Sequence, residues 1–356
     1  MCIWNKSVIR QLVLLFTMAA IILTPPQILA KELLTGRTLE VMVGFSNTGG
    51  GARFWRVFSQ RLRKALPETV VRARFNDIGS GVVGTSKLFK LPPGSLAVGF
   101  VRPPEIAFAQ IHQRDGVDFD FSEVSWIVGV ENDSFIMAAR RNLPTDPQTL
   151  RDLDTQLIIP VSDILATHST VSFLLNAVTG IPAKIVVGFK KSARKKALLA
   201  QDADMYTIAA DDALKPLLLS GDIKSLYTIA GKNYPHEVNQ MRTLESFLVP
   251  DAPSFVVDYI KSARAMGRAF FAPPAVDSKD VEALRTVFAE ILTDPEFIKA
   301  AASQRVPVSA VDPKTVREQI NYLLVTDTRA KAALDLAYDC GRKMSQGLAR
   351  NCEFMK

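Results

Sequence analysis

The stretch Val41 to Arg56, VMVGFSNTGGGARFWR, leaves the chain few ways to fold. A short apolar strand, Leu39 to Val43, runs into a glycine-rich turn at Asn47 to Gly51. Beyond it Phe54, Val57, Phe58 and Leu62 recur at helical spacing, which predicts a helix over Arg53 to Ala65. Strand, tight turn and helix N-terminus together make an anion seat. The first N–H groups of a helix lack partners inside it, and the aligned peptide dipoles add partial positive charge there.

The pattern recurs. Val70 to Phe75 reads as a second strand, ending in Asn76-Asp77-Ile78-Gly79-Ser80-Gly81-Val82-Val83-Gly84 and a helix over Val83 to Phe89. A third apolar strand, Ser95 to Val101, ends at Gly99 to Arg102. Strand, helix, strand, helix, strand predicts a parallel sheet covered by helices, with ligands beyond the carboxyl ends of its strands. A second α/β block follows. Its strands are expected at Val124 to Val130, Phe135 to Ala139, Leu157 to Pro160, Ile185 to Val187, Met205 to Ala209 and Ser225 to Ala230. Thr167-His168-Ser169-Thr170 reads as a capping turn before a helix over Val171 to Val178, a further anion seat. From Arg268 a return strand leads to amphipathic helices over Ser278 to Leu292, Pro295 to Ser303, Pro313 to Val325 and Arg329 to Leu348. Asp294-Pro295 and Asp312-Pro313 are helix-start signals, an acid at the cap and proline in the first turn.

Residues 1–30 read as a cleaved leader, with an uncleaved anchor as the alternative. Lys6 and Arg10 precede a mostly apolar run, Gln11 to Thr24, and Ala30 offers a small residue before a cut. Losing this segment removes two positive charges and no acid, so the formal +7 of 356 residues becomes +5. That suits anionic small molecules, and an exported chain rarely meets nucleic acid. In an oxidising compartment the two remaining cysteines, Cys340 and Cys352, read as a disulfide contributing roughly 3 kcal/mol, against two free buried thiols.

Other chemistries fit poorly. Gly49-Gly50-Gly51-Ala52-Arg53-Phe54 breaks the dinucleotide spacing, and no Walker lysine follows. Three scattered histidines, His112, His168 and His236, supply neither a nucleophile–base pair nor a metal motif, so neither catalytic residues, a metal nor a cofactor is expected. The basic run Lys190, Lys191, Arg194, Lys195, Lys196 reads first as a solvated helix face, and alternatively as an attractor of anions or of an acidic partner.

With these residues in view the chain resembles the Bug family, extracytoplasmic solute receptors of tripartite tricarboxylate transporters, over about Leu39 to Leu324. Val43 to Gly51 resembles the family's V-P-F-x-P-G-G-G turn, and Asn76 to Gly81 its N-x-x-G-x-G-G segment. Phe119 to Ile127 is similar to its D-F-x-P-V-x-x-I strand entry, Asp202-Ala203-Asp204 to G-x-V-D, and Leu292 to Pro295 to its A-D-P-E helix end. Ala52-Arg53 stands where the family has Thr-Asp, and the cysteine-bearing end is not a family feature. The resemblance implies a type II periplasmic binding-protein fold: two α/β lobes, a hinge and a ligand cleft. The first lobe is expected over residues 31–138 plus 269–356 and the second over 139–268. The family function is capture of a small carboxylate for membrane transporter subunits, by a monomer in the periplasm. The implied contacts are Ser46, Asn47, Thr48, Gly49, Gly50, Gly51, Gly79, Ser80 and Gly81 on one side, with Thr167, His168, Ser169, Thr170 and Asp204 opposite.

Arg53 at a helix start works against the dipole unless it reaches an anion. With Arg102 it is expected either to grip a second carboxylate or to point to solvent. The rival readings are a TAXI-type receptor of a TRAP transporter, an orphan receptor feeding a sensor kinase, and, more remotely, an exported hydrolase.

Overall fold

The computed structural model describes residues 26–48, 50–131, 135–162, 166–189, 191–209, 214–230, 242–304, 306, 308–324 and 328–349. Most of the expected leader, as well as Gly49, Lys190 and Cys352, lies outside the described residues. The described chain opens with helix α1, Pro26–Leu34, which spans the expected cut after Ala30. It packs along α10, Ser278–Thr293, with Ala30 and Leu34 buried and Lys31 paired to Glu290 at 2.8 Å. A cut after Ala30 would leave only its last turn.

The first lobe is built on three parallel strands, β1 (Thr38–Val43), β2 (Val70–Phe75) and β3 (Ala97–Val101). Between and after them run α2 (Gly50–Ala65), α3 (Val82–Phe89) and α4 (Pro103–Ile111). Two longer antiparallel strands, β4 (Ser125–Glu131) and β10 (Met266–Ala272), and the short β11 (Ala310–Val311) complete a sheet ordered β11-β4-β10-β3-β1-β2. All five residues of β3 are buried, as a central strand covered on both faces requires. One face carries a phenylalanine stack of Phe54, Phe58, Phe100, Phe270 and Phe288, with the Phe100 and Phe270 rings 4.3 Å apart. Such rings bury about 150–250 Å² each, and here they fix α2 and α10 against the sheet. Asp280 of α10, fully buried, takes a two-pronged bond from Arg37 at 2.7 and 2.8 Å, anchoring the approach to β1.

In the second lobe β5 (Phe135–Arg140) pairs antiparallel with β8 (Met205–Ala209) and β9 (Ile223–Ala230). A separate parallel pair joins β6 (Leu157–Pro160) to β7 (Ala183–Val186). Its helices are α5 (Pro147–Arg151), α6 (Thr167–Thr179), α7 (Lys191–Ala200), α8 (Lys215–Leu219) and α9 (Ser254–Ala265). Sheet membership changes between Glu131 and Phe135 on the way out. On the way back α9 runs into β10 without a break.

The C-terminal helices divide. After α11 (Pro295–Ser303), α12 (Pro313–Leu323) packs on β4 and α4 of the first lobe. The last helix, α13 (Thr328–Ser345), lies instead against α6 and β7 of the second, although the sequence reading puts residues 269–356 wholly in the first. The contact is close: a Cβ on Gly341 would stand 2.2 Å from the Phe173 ring of α6, so glycine is required there. Gln156 Nε2 extends the contact, donating to the Ala349 carbonyl at 3.0 Å.

Candidate functional site

The carboxyl ends of β1, β2 and β3 meet at one edge, as parallel strands demand. Gly44 donates to the Phe100 carbonyl and Asn76 to that of Val43, each at 2.9 Å, so the turns after the strands start side by side. Ile78–Gly81 is one tight turn whose Gly79, Ser80 and Gly81 all have positive φ (62°, 60° and 98°). A side chain on Gly81 would meet the Gly44 backbone at 3.2 Å. Ser80 tolerates this left-handed geometry only under constraint, and such strain gathers at ligand sites.

Helix α2 begins at Gly50, three residues before the expected Arg53. Glycine costs a helix about 0.5–1 kcal/mol, and the buried Phe54 and Phe58 further along the same helix outweigh that. Gly51 lies on the buried Phe45 ring, where a Cβ would be 2.3 Å away. Arg56 donates to the Asn47 carbonyl and pins the turn from the helix side. Ser46, Asn47 and Thr48 are exposed on the rim, as is Arg53, whose guanidinium folds back beside Gly50.

Across the cleft, Thr167, His168, Ser169 and Thr170 form the first turn of α6 itself, not a turn before it. Thr167, Ser169 and Thr170 are buried. The seat at this N-terminus is already occupied from the other lobe. Glu105, buried in the first turn of α4, accepts the Thr167 N–H at 3.1 Å. A carboxylate there is favoured by the free N–H groups and by the dipole.

Around this contact stand three arginines. Arg102, at the end of β3, lies 4.0 Å from Glu105 and 5.3 Å from the centre of the Phe45 ring. Arg194 of α7 sits 5.8 Å over Tyr206. Arg264, near the end of α9, lies 4.5 Å over Phe135 and donates to Thr207 Oγ1 at 3.3 Å. Burial pulls the Arg264 guanidinium below its ordinary range; Glu105 opposes the shift, and Arg194 and Arg102 add to it. Burial likewise lowers Arg194, with Tyr206 and Glu105 opposing and Arg102 adding. His168 Nε2 takes the Ser162 backbone N–H at 3.1 Å. A backbone N–H can only donate, so this nitrogen carries the lone pair and the ring is neutral. Burial and then the fields of Arg194, Arg264 and Arg102 hold its pKa well below the ordinary 6.5.

Gly50, Gly51, Gly79, Ser80, Gly81 and Arg102 thus gather at one strand-end edge, and Thr167 to Thr170 face it through Glu105. Asp204 has another task. Its carboxylate takes Arg140 Nε at 2.5 Å and the Ile158 N–H at 2.7 Å, clamping β5 to β6 and β8. Both of its oxygens are engaged there. Sequence reasoning missed Glu105, Arg264 and Tyr206, and it saw Arg194 only as one member of a basic run. The structure splits that run: Arg194 is half-buried within electrostatic reach of Arg102 and Glu105, while Lys196 is exposed. Among the described residues no cluster of metal-ligating side chains occurs, and no helix is long and apolar enough to cross a membrane.

No family description and no curated protein matches the sequence. Solved structures do match its fold. A TctC solute binding protein from Polaromonas superposes with TM-score 0.63 at 15% identity, over 81% of this chain and 96% of that one. The periplasmic binding protein BugD gives 0.60 at 13% identity, over 86% and 97%. MatC from Rhodopseudomonas palustris, with bound malate, gives 0.58 at 14%, over 81% and 96%. Together with the sheet order and the two lobes, these define a periplasmic binding-protein fold of type II. In particular, the chain is similar in fold to the TctC and Bug receptors.

The state of His168 predicts a pH effect. The unfolded chain takes up a proton at this residue as pH falls below about 6.5, whereas the folded site resists it, so stability falls in that window. Urea titrations from pH 7 to pH 5 should show a shallower loss in His168→Gln than in the parent. The difference is at most about 1.4 kcal/mol per pH unit, the limit for one proton. Parallel profiles would place the proton uptake elsewhere, His112 being the other histidine among the described residues whose pKa burial lowers.

Proposed function

We propose that this chain is an exported solute receptor of the Bug type. It captures a small carboxylate between its lobes and delivers it to a membrane transporter, without catalysing a reaction. The observation that carries this reading is the meeting, in one cleft, of the strand-end glycine turns of the first lobe with the arginine-lined N-terminus of α6 in the second. Both walls favour anions, one through backbone N–H groups and the other through guanidinium charge. Malate bound in MatC, which shares the fold, supports a carboxylate as the cargo. We place the lobes at residues 31–131 plus 266–324 and at 135–265 plus 328–349. The receptor acts as a monomer in the periplasm, and hinge closure about the two crossing segments is its working motion.

Calorimetry on the mature protein tests the reading. It should bind at least one of acetate, malate and adipate, and it should not bind putrescine. Binding of cationic or neutral solutes alone would overturn the proposal.

The same compartment implies a Cys340–Cys352 disulfide, which would staple the end of α13. Thiol titration of the unfolded, unreduced mature chain should find no free thiol, and two would refute the pairing.

A further inference from the structure

We propose that helix α4 is a latch: one face of it clasps the second lobe and holds the lobes closed without the help of a solute. The inference concerns the resting state of the chain and goes beyond the receptor reading. Only one consequence rests on that reading, namely that a solute enters at the rate at which the latch releases.

Glu105, Phe108 and His112, the last of which caps α4, stand three and four residues apart and so share one face of the helix. Each meets a different helix of the second lobe. Glu105 accepts the Thr167 N–H at the start of α6, at 3.1 Å. The Phe108 ring stands edge-on to the Tyr259 ring of α9, with centres 5.6 Å apart. The His112 ring lies 4.7 Å from the Tyr338 ring of α13. A stripe about 10 Å long thus touches α6, α9 and α13 at once.

The seam is dry. Glu105, Phe108, Thr167 and Tyr259 are buried, and the His112 side chain is 7% exposed. The apolar interiors of the lobes run together across it, since Val101 and Phe108 of the first share one cluster with Phe173, Tyr259 and Ile260 of the second. Opening would return this surface to water as a contiguous apolar patch, which monomeric proteins rarely expose. Glu105 adds a charge-assisted bond at the end of the stripe, favoured by the α6 dipole. The first lobe also grips α9 from α12. Tyr259 Oη donates to the Leu323 carbonyl at 3.2 Å, and Tyr322 Oη to the Phe255 carbonyl at 3.4 Å.

Small-angle X-ray scattering on the mature protein, freed of carried-over solute by dialysis from urea and refolding, tests the latch. The parent should show the radius of gyration of a compact chain, about 20 Å at this length. Glu105→Lys, which sets a cation against the α6 dipole, and Phe108→Ala, which empties the middle of the stripe, should each enlarge it. Glu105→Gln, neutral but still able to accept the Thr167 N–H, should enlarge it less and guards against a folding defect. Ile106→Ala, equally buried but off the stripe by helical geometry, should lower the unfolding midpoint without enlarging the particle. A radius unchanged in every stripe variant that stays folded by circular dichroism would overturn the latch. So would a parent that is expanded alone and shrinks in saturating malate. A compact parent that binds no carboxylate in calorimetry would overturn the receptor reading and leave the latch standing.

Discussion

The contact between Glu105 and the N-terminus of α6 governs the rest of the site. It joins the lobes beyond the ends of the parallel strands, through a carboxylate set on the N–H groups of a helix start. Glu105 comes from the turn after the third parallel strand, and Thr167 opens the helix behind β6. The second lobe is therefore held to the first by an internal carboxylate. Among the described residues that charge opposes the fall in the pKa of both Arg264 and Arg194.

Two features make such a contact possible. The glycine turns let the ends of β1 and β2 converge: Gly44 and Gly81 approach too closely for side chains, and the Phe45 ring fills the space beside Gly51. The phenylalanine stack behind them keeps α2 and the strand ends from shifting. The second lobe meets the first through the Glu105 contact and through α9, whose Tyr259 hydroxyl donates to the Leu323 carbonyl of α12 at 3.2 Å. Because α13 packs on α6 and β7, any hinge motion must carry this helix along with the second lobe.

Much of the fold was legible because its signals are local. Strands β6 and β8 lie where the apolar runs put them, and the proline-led helices start at Pro295 and Pro313 as their aspartate caps foretold. The glycine turns announced where the ends of β1 and β2 converge. What escaped the sequence depends on distant packing. An arginine within KSARAMGR looks like a surface residue until β8 and β5 close over Arg264. Glu105, following two prolines, reads as an ordinary first-turn acid, and only the second lobe gives it a partner. The Asp204 carboxylate serves Arg140 and the Ile158 N–H, a use of an acid before a strand that the local sequence does not reveal. The docking of α13 on the second lobe turns on one glycine against one phenylalanine, Gly341 on Phe173, which no periodicity reveals.

The proposed receptor function requires one cleft whose two walls engage a single anion. Hydrogen exchange of the backbone amides, with and without saturating dicarboxylate, addresses this directly, because it reads both walls in one experiment. The amides of Gly79 to Gly81 and those around Arg194 on α7 should slow together, by tenfold or more, when the solute binds. Protection confined to one wall, or to neither, would contradict a shared site between the lobes.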